Sequence, residues 1–523
     1  MENERKFIVK YPVGDQSFES IRSDNYLYID KTRYIDRLVN QGSKYYFLGR
    51  PRRFGKSLFL STLQCFFEGK RHLFKGTYID STDWKWEKHP VLYLDLNIKK
   101  YKEKGDLNTV LDYLFGKWEE KYSVAKTSED FSVRFSKIIE GAYKASGDKG
   151  VVVLVDEYDK LLVNNLHEDP NFKDNRDTLA EIYSNFKSSA PFLRLVFITG
   201  ISRFAKLSVF CGLNNLNDIT FDVPYSGICG ITEEEFAANF QDGLNRLAEE
   251  QGMSVEETHD KVKRLYDGYH FSSKSPDVYN PFSLMNLMEK LDFRNYWIDS
   301  GTPSLLWDQL RDFDVDLKSL INSRSDMQTL QGIDLENHNP VALLYQTGYL
   351  TIKKTIAPGM FQLGLPNGEV KDGFMNFLLP HYANLHGETS QFFIYDFVDD
   401  LREGRVDAFM SRLQKMFAGI SYEMHMDCEK NLHNAILVLM LLLGQRVKEE
   451  FHTSDGRIDL FLRTDRYYYV IEIKIDKTAQ DALNQINDKN YALPFASDGR
   501  KIIKIGVNFD TAKRTLSDWI VEL

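Results

Sequence analysis

The sequence predicts an α/β fold in three parts: a parallel-sheet domain over residues 1–229, a helical lid and winged-helix-like region over 230–390, and a second α/β domain over 391–523. Three observations predict it. Apolar or largely apolar runs at 45–48, 151–155 and 193–198 have the pattern of strands buried on both faces, which is how central parallel strands read. Helical spacing of apolar residues continues from Thr232 to Leu265, behind a capping threonine and three glutamates. Two alternating segments flank a polar turn at Thr464, Asp465 and Arg466, the layout of a β-hairpin.

At 523 residues the chain exceeds a single compact core, and its 43% hydrophobic and 27% charged content suits a globular protein with cores to bury. The formal net charge of -10 excludes a surface coated in positive potential, yet a local basic groove is still compatible with nucleic acid. Cys65, Cys211, Cys229 and Cys428 stand far apart with no CxxC pair, so neither a disulfide framework nor a structural zinc site is expected. The chain opens with no apolar leader, and its longest purely apolar run, 435–443, is too short for a bilayer. That run reads as a buried helix, no membrane role is expected, and a reducing cytoplasm fits.

The first strand leads through Arg50, Pro51, Arg52, Arg53, Phe54, Gly55, Lys56 and Ser57 into a helix predicted over 58–67. A helix start behind a strand presents free amides that cradle phosphate. Lys56 then reaches the β- and γ-phosphates of a nucleotide, and the Ser57 hydroxyl ligates Mg²⁺. One position departs from the usual phosphate loop: the glycine expected five residues before Gly55 is Arg50, with Gly49 one step early. The apolar strand 151–155 ends in Asp156, suited to the water shell of Mg²⁺, and Glu157, suited to polarising the attacking water. Strand 193–198 runs into Thr199, Gly200, Ile201, Ser202 and Arg203, where Thr199 or Ser202 would sense the γ-phosphate and Arg203 would neutralise it. ATP and Mg²⁺ are the expected cofactors, with Arg52, Arg53, Gly55 and Lys56 in the binding set.

The segment from Thr232 is expected to be a lid over that site. The aromatic cluster Tyr266, Tyr269, His270, Phe271 and Tyr279 could stack bases, but only Lys274 accompanies it, so domain packing is the expected role. Residues 340–368 read as a helix followed by a two-stranded wing turning at Ala357, Pro358 and Gly359. Residues 374–418 read as mostly helical and bridge to the last domain.

In that domain, side chains at every second strand position share a face, so Glu472 and Lys474 point one way and Ile471, Ile473 and Ile475 the other. The hairpin brings Asp459 toward Glu472 and leaves two carboxylates and an ammonium together. Charge at that density needs a neutralising partner, and hard oxygen ligands suit Mg²⁺ or Mn²⁺.

Gly456 to Asp459, Glu472 with Lys474, and Ala482 to Ile486 with Gln485, preceded by Glu429 in a helical segment, resemble the PD-(D/E)xK phosphodiesterase superfamily. The resemblance implies that Glu429, Asp459 and Glu472 bind metal, that Lys474 is catalytic and that Gln485 assists near the phosphate. At the front, the run Arg50 to Ser57, the run Asp156 to Lys160, and the stretch 199–220 resemble the bacterial AAA-ATPase-like family, in which a P-loop ATPase precedes a PD-(D/E)xK domain. That likeness extends to Tyr28 through Thr32, Tyr266 through Phe271, Tyr279 through Phe282, and Asn295 through Trp297 with Gly301 through Pro303. Arginine at the Arg50 position is ordinary there.

The expected function is thus an ATP-binding and ATP-hydrolysing protein coupled to a Mg²⁺-dependent nuclease, with nucleic acid as partner, DNA in preference to RNA. The architecture suggests a role in defence against foreign DNA or in handling a mobile element. The alternative is an NTP-dependent signalling switch whose tail holds nucleic acid without cutting it. ATPases of this kind use a neighbour's arginine, so a homo-oligomer with Arg52, Arg53 or Arg203 in that role is a further expectation.

Overall fold

The computed structural model describes residues 9–99, 101, 103–160, 171–201, 209–210, 213, 215–272, 274–300, 310, 316–332, 340–382, 390–418, 428–443, 448–449, 458–491, 499–513 and 515–523. The chain forms two compact units, Met1–Ser300 with Asn322–Gly368, and Gly301–Ile321 with Glu369–Leu523. Among the described residues no helix is long and apolar enough to cross a membrane.

The first unit is built on β1 (Tyr45–Gly49), β2 (Val91–Asp95), β3 (Val151–Asp156), β4 (Leu193–Gly200) and β5 (Asn217–Asp218), ordered β2-β3-β4-β1-β5 with every pair parallel. All residues of β1 and β3 are buried, which is why they read as unbroken apolar runs. Parallel pairing sets the carboxyl ends of β3, β4 and β1 side by side, with Gly49 level with Gly200. Ligands of open α/β sheets bind in the crevice at such ends. Helix α1 (Lys56–Phe67) begins two residues sooner than the sequence suggests, because Gly55 takes the left-handed cap conformation (φ +93°) and releases Lys56 into the first turn.

The segment expected to be a lid is α2 (Glu233–Asn239), α3 (Gln241–Gln251) and α4 (Val255–Tyr266), flanked by the short antiparallel pair β6 (Ile231–Thr232) and β7 (Val278–Tyr279). Thr232 caps α2 through a reciprocal pair with Glu235, and Ser254 does the same for α4 with Glu257. Their apolar faces meet in one core of Phe236, Phe240, Leu244, Leu247, Val262 and Tyr266, which also takes in Tyr279 and Leu284. Each such side chain contributes about 1.5–3 kcal/mol on burial. Glu235 also pairs with Lys31 at 2.6 Å, in a place where both side chains are nearly buried, and so ties the lid to the front of the chain.

The winged part has strands β8 (Arg324–Asp326), β9 (Thr351–Ala357) and β10 (Met360–Gly364) in the antiparallel order β8-β10-β9, with the helices Met327–Gln331 and α5 (Pro340–Thr347) between β8 and the wing. Gly359 turns the wing at φ +71°. Tyr266, Tyr269, Phe271 and Tyr279 are all buried, and Phe54 packs edge-on to Tyr269 and Phe271 at 4.7 and 5.4 Å. Their faces are spent on packing and are not open to bases.

The second unit carries α6 (Gly368–Tyr382), α7 (Ser390–Glu403), α8 (Val406–Ala418) and α9 (Cys428–Leu443), then a five-stranded sheet. Its strands β11 (Lys448–Glu449), β12 (Ile458–Arg463), β13 (Tyr467–Ile475), β14 (Lys501–Asp510) and β15 (Thr515–Glu522) follow one another in space. The β12–β13 hairpin turns where expected: the Thr464 hydroxyl accepts from the Tyr467 amide at 2.9 Å, and the Thr464 amide donates to the Tyr467 carbonyl at 2.9 Å. β13 and β14 are parallel, so α10 (Ala479–Asp488) is the crossover between them. The apolar run of α9 is buried along its length except for Leu441.

Candidate functional site

At the carboxyl ends of the first sheet, Lys56 is 5% exposed and its ammonium donates to the carbonyls of Arg50 and Pro51 at 2.9 and 3.0 Å. Burial pushes this lysine below its ordinary value, opposed by the carboxylates of Glu157, Asp156 and Asp159. Asp156 is itself buried, accepting from the Thr199 hydroxyl at 2.7 Å and from the Tyr93 hydroxyl at 3.2 Å. The structure therefore brings Lys56, Asp156, Glu157 and Thr199 to one crevice. Thr199 is fully buried and spends its hydroxyl on the Asp156 carboxylate, which fixes that carboxylate's orientation. Ser57 stands in the first turn of α1, directly after Lys56.

Backbone strain gathers here. Arg53 and Glu157, neither of them glycine, both adopt left-handed conformations, φ +64° and +50°. Arg53 lays its guanidinium over the Phe282 ring at 4.8 Å, and the Arg52 carbonyl accepts from the Trp297 indole at 3.1 Å. Ser202 and Arg203 lie outside the described residues.

Arg50 explains how the loop dispenses with its glycine. The residue is 1% exposed and donates to the carbonyls of Gly49, Thr220 and Tyr225 at 2.8, 2.7 and 3.3 Å, with its guanidinium 4.3 Å from the centre of the Phe271 ring. Its side chain is a scaffold that joins the end of β1 to the chain after β5. Neither this role nor that of Tyr93 was readable from the sequence, since Thr220, Tyr225 and Phe271 around Arg50, and Asp156 beside Tyr93, come from distant segments.

In the second unit, β13 carries Val470, Glu472 and Lys474 on the face that α10 covers, and Val470 packs with Leu483 and Ile486 of that helix. Glu472 is fully buried. The Lys474 ammonium donates to Glu472 Oε1 at 3.0 Å and to the Gln485 side-chain oxygen, while the Gln485 amide donates to the same Glu472 oxygen. Glu472 Oε2 has no hydrogen-bond partner among the described residues. The antiparallel register sets Asp459 opposite Glu472, on the strand face that carries Phe461. Glu429 stands in the first turn of α9. The side chains of Glu429 and Asp459, like Gly456 and Arg457, lie outside what the structure describes. Among the described residues no group of three or more His, Cys, Asp or Glu is placed to hold a metal ion. Of the three acids expected to bind metal, only Glu472 has a described side chain.

The Lys474 ammonium pairs with one oxygen of this buried carboxylate, and the other oxygen is a position where a bound cation would complete its surroundings. The donor chemistry, a hard carboxylate oxygen, fits a divalent metal ion.

Comparison with known proteins matches both ends of the chain to known domain families. Residues 12–210 match the family described as Predicted AAA-ATPase, and residues 427–519 match the PD-(D/E)XK nuclease superfamily. Over 529 aligned residues the chain is 34% identical to a protein of Azotobacter chroococcum mcd 1 described as "Uncharacterized protein in vnfD 5'region", covering 98% of this chain and 99% of that relative. With a parallel sheet at the front and a hairpin under a crossover helix at the back, the chain belongs to one family with that relative and joins an AAA-ATPase-like domain to a C-terminal PD-(D/E)XK nuclease superfamily domain.

Proposed function

We propose that this protein binds and hydrolyses ATP in its first unit and cleaves nucleic acid phosphodiester bonds in its second, with Mg²⁺ at both sites and DNA favoured over RNA. The observation that carries the reading is the buried network of Glu472, Lys474 and Gln485 with one carboxylate oxygen left over. Glu472, with Asp459 and Glu429, would hold the metal, which when bound polarises the phosphodiester and makes water a better nucleophile at neutral pH. Lys474 keeps its ammonium beside the reacting centre, where it offsets developing negative charge, and Gln485 fixes the orientation of both partners. In the first unit Lys56 and Ser57 would meet the nucleotide phosphates and their Mg²⁺, Asp156 is held by Thr199 and Tyr93 for the metal's water shell, and Glu157 would polarise the attacking water. Arg52, Arg53 and Arg203 are the cations proposed to meet phosphate from this chain or a neighbouring copy.

The test is cleavage of labelled single- and double-stranded DNA and RNA by the full chain, with Mg²⁺ or Mn²⁺ and with or without ATP. Metal-dependent cleavage is expected, reduced about 100-fold or more by Lys474→Ala and by Asp459→Ala with a cooperative thermal melt retained. Cleavage that survives both changes would overturn the assignment. ATP hydrolysis with no cleavage under either metal would instead make the chain a nucleotide switch with a non-cleaving tail.

A further inference from the structure

Gly506 lies in β14, level with Glu472 in the parallel register. Register partners in a parallel pair present their side chains to the same face, so a side chain at 506 would project toward α10, as Glu472 does. There is no room for one. A Cβ at this position would come within 2.3 Å of the Ala479 carbonyl oxygen, 2.6 Å of the Leu483 amide nitrogen and 2.9 Å of Leu483 Cβ. The first two are helix backbone and cannot rotate away. Conformational freedom is not the reason for glycine here, because Gly506 is not among the residues with positive φ. Glycine weakens a strand interior, and the reason left for it is the close approach of another backbone.

That approach has a consequence at the site. α10 enters through a reciprocal cap between Thr478 and Asp481, lies directly on β14 over Gly506, and two turns along the same helix Gln485 bridges Glu472 and Lys474. We propose that Gly506 is a positioning residue of the metal-dependent site: its missing side chain sets the height of α10 above the sheet, and that height lets Gln485 reach both partners. An added methyl group must lift the helix by about 1 Å to restore ordinary contact distances. Hydrogen bonds lengthened by that much are lost. Misplacement on this scale costs up to about 100-fold in rate.

The activity arm of the test rests on the nuclease reading, whereas the binding arm does not. Gly506→Ala, Gln485→Ala and the double variant, each in the full chain, are compared by cleavage rate, by calorimetric titration with Mn²⁺ and by thermal melting. Gly506→Ala is expected to slow cleavage by about 10- to 100-fold and to weaken Mn²⁺ binding, with a cooperative melt retained. In the Gln485→Ala background the same change should add less than about 3-fold, because the contact it disturbs is already gone. Effects that simply multiply in the double variant, or unchanged Mn²⁺ affinity in Gly506→Ala, overturn the proposal. If Gly506→Ala does not fold, Gln485→Asn decides: it shortens the reach by one methylene without touching the packing, and wild-type rate and Mn²⁺ affinity in that variant would refute the proposal. A wild-type chain that binds Mn²⁺ without cleaving removes the nuclease reading and leaves Gly506 to the titration, whereas one that does neither removes both.

Discussion

Asp267 shows how much one side chain can hold in reserve. It is 6% exposed, its Oδ1 has no hydrogen-bond partner among the described residues, and burial raises its carboxyl to about 6, with the neighbouring Asp277 adding to the rise and the Gly268 amide opposing it. An unfolded aspartate titrates near 3.9. The fold therefore prefers the neutral acid, and the stability contributed by this group is complete below about pH 4 and lost as pH rises through 6. Asp267→Asn is expected to raise stability at pH 8 by up to about 3 kcal/mol and to leave it unchanged at pH 4, as measured by urea unfolding at the two pH values. Equal effects at both would show that ionisation is not the source. The identity of Asp267 was visible in the sequence, but its solitary oxygen was not. Lys474 and Glu472 are the opposite case, because strand alternation alone put them on one face.

At the level of elements, the loop before α1 depends on the conformation of one residue. Gly55 caps α1 in a left-handed conformation with open space around it, so an alanine there would meet no atom within 4 Å and would still be strained. That strain is about 1–2 kcal/mol. Gly55→Ala should cost that much in stability while weakening ATP binding by 10-fold or more, because the amides at the start of α1 would turn away from the phosphates. Nucleotide titration checks it, and unchanged affinity would mean that the helix start does not hold the phosphate. Elements with strong periodicity were legible in the sequence: the apolar strands β1, β3 and β4, the helical segment from Thr232, the β12–β13 hairpin and the wing. β8 was not, because Arg324, Ser325 and Asp326 have no apolar face and become a strand only where β10 offers backbone partners.

For the whole molecule, two compact units imply two cores that can melt separately. Scanning calorimetry of the full chain is expected to resolve two transitions. ATP with Mg²⁺ should stabilise the one belonging to the first unit, by about 2.7 kcal/mol at a concentration 100 times its Kd, and Mn²⁺ alone the other. A single transition shifted equally by either ligand would show that the units unfold as one. The sequence by itself determined that β1, β3 and β4 are buried, where the candidate phosphate loop and the acid–lysine hairpin lie, and hence the family, because these follow from local periodicity and from residue types at short spacing. Only the tertiary structure decided that Arg50 braces the loop through distant carbonyls, that Thr199 and Tyr93 hold Asp156, and that Gly506 admits α10 close enough for Gln485 to join Glu472 and Lys474. Those contacts join residues tens to hundreds of positions apart, and their geometry is set by packing, which no local pattern in the chain encodes.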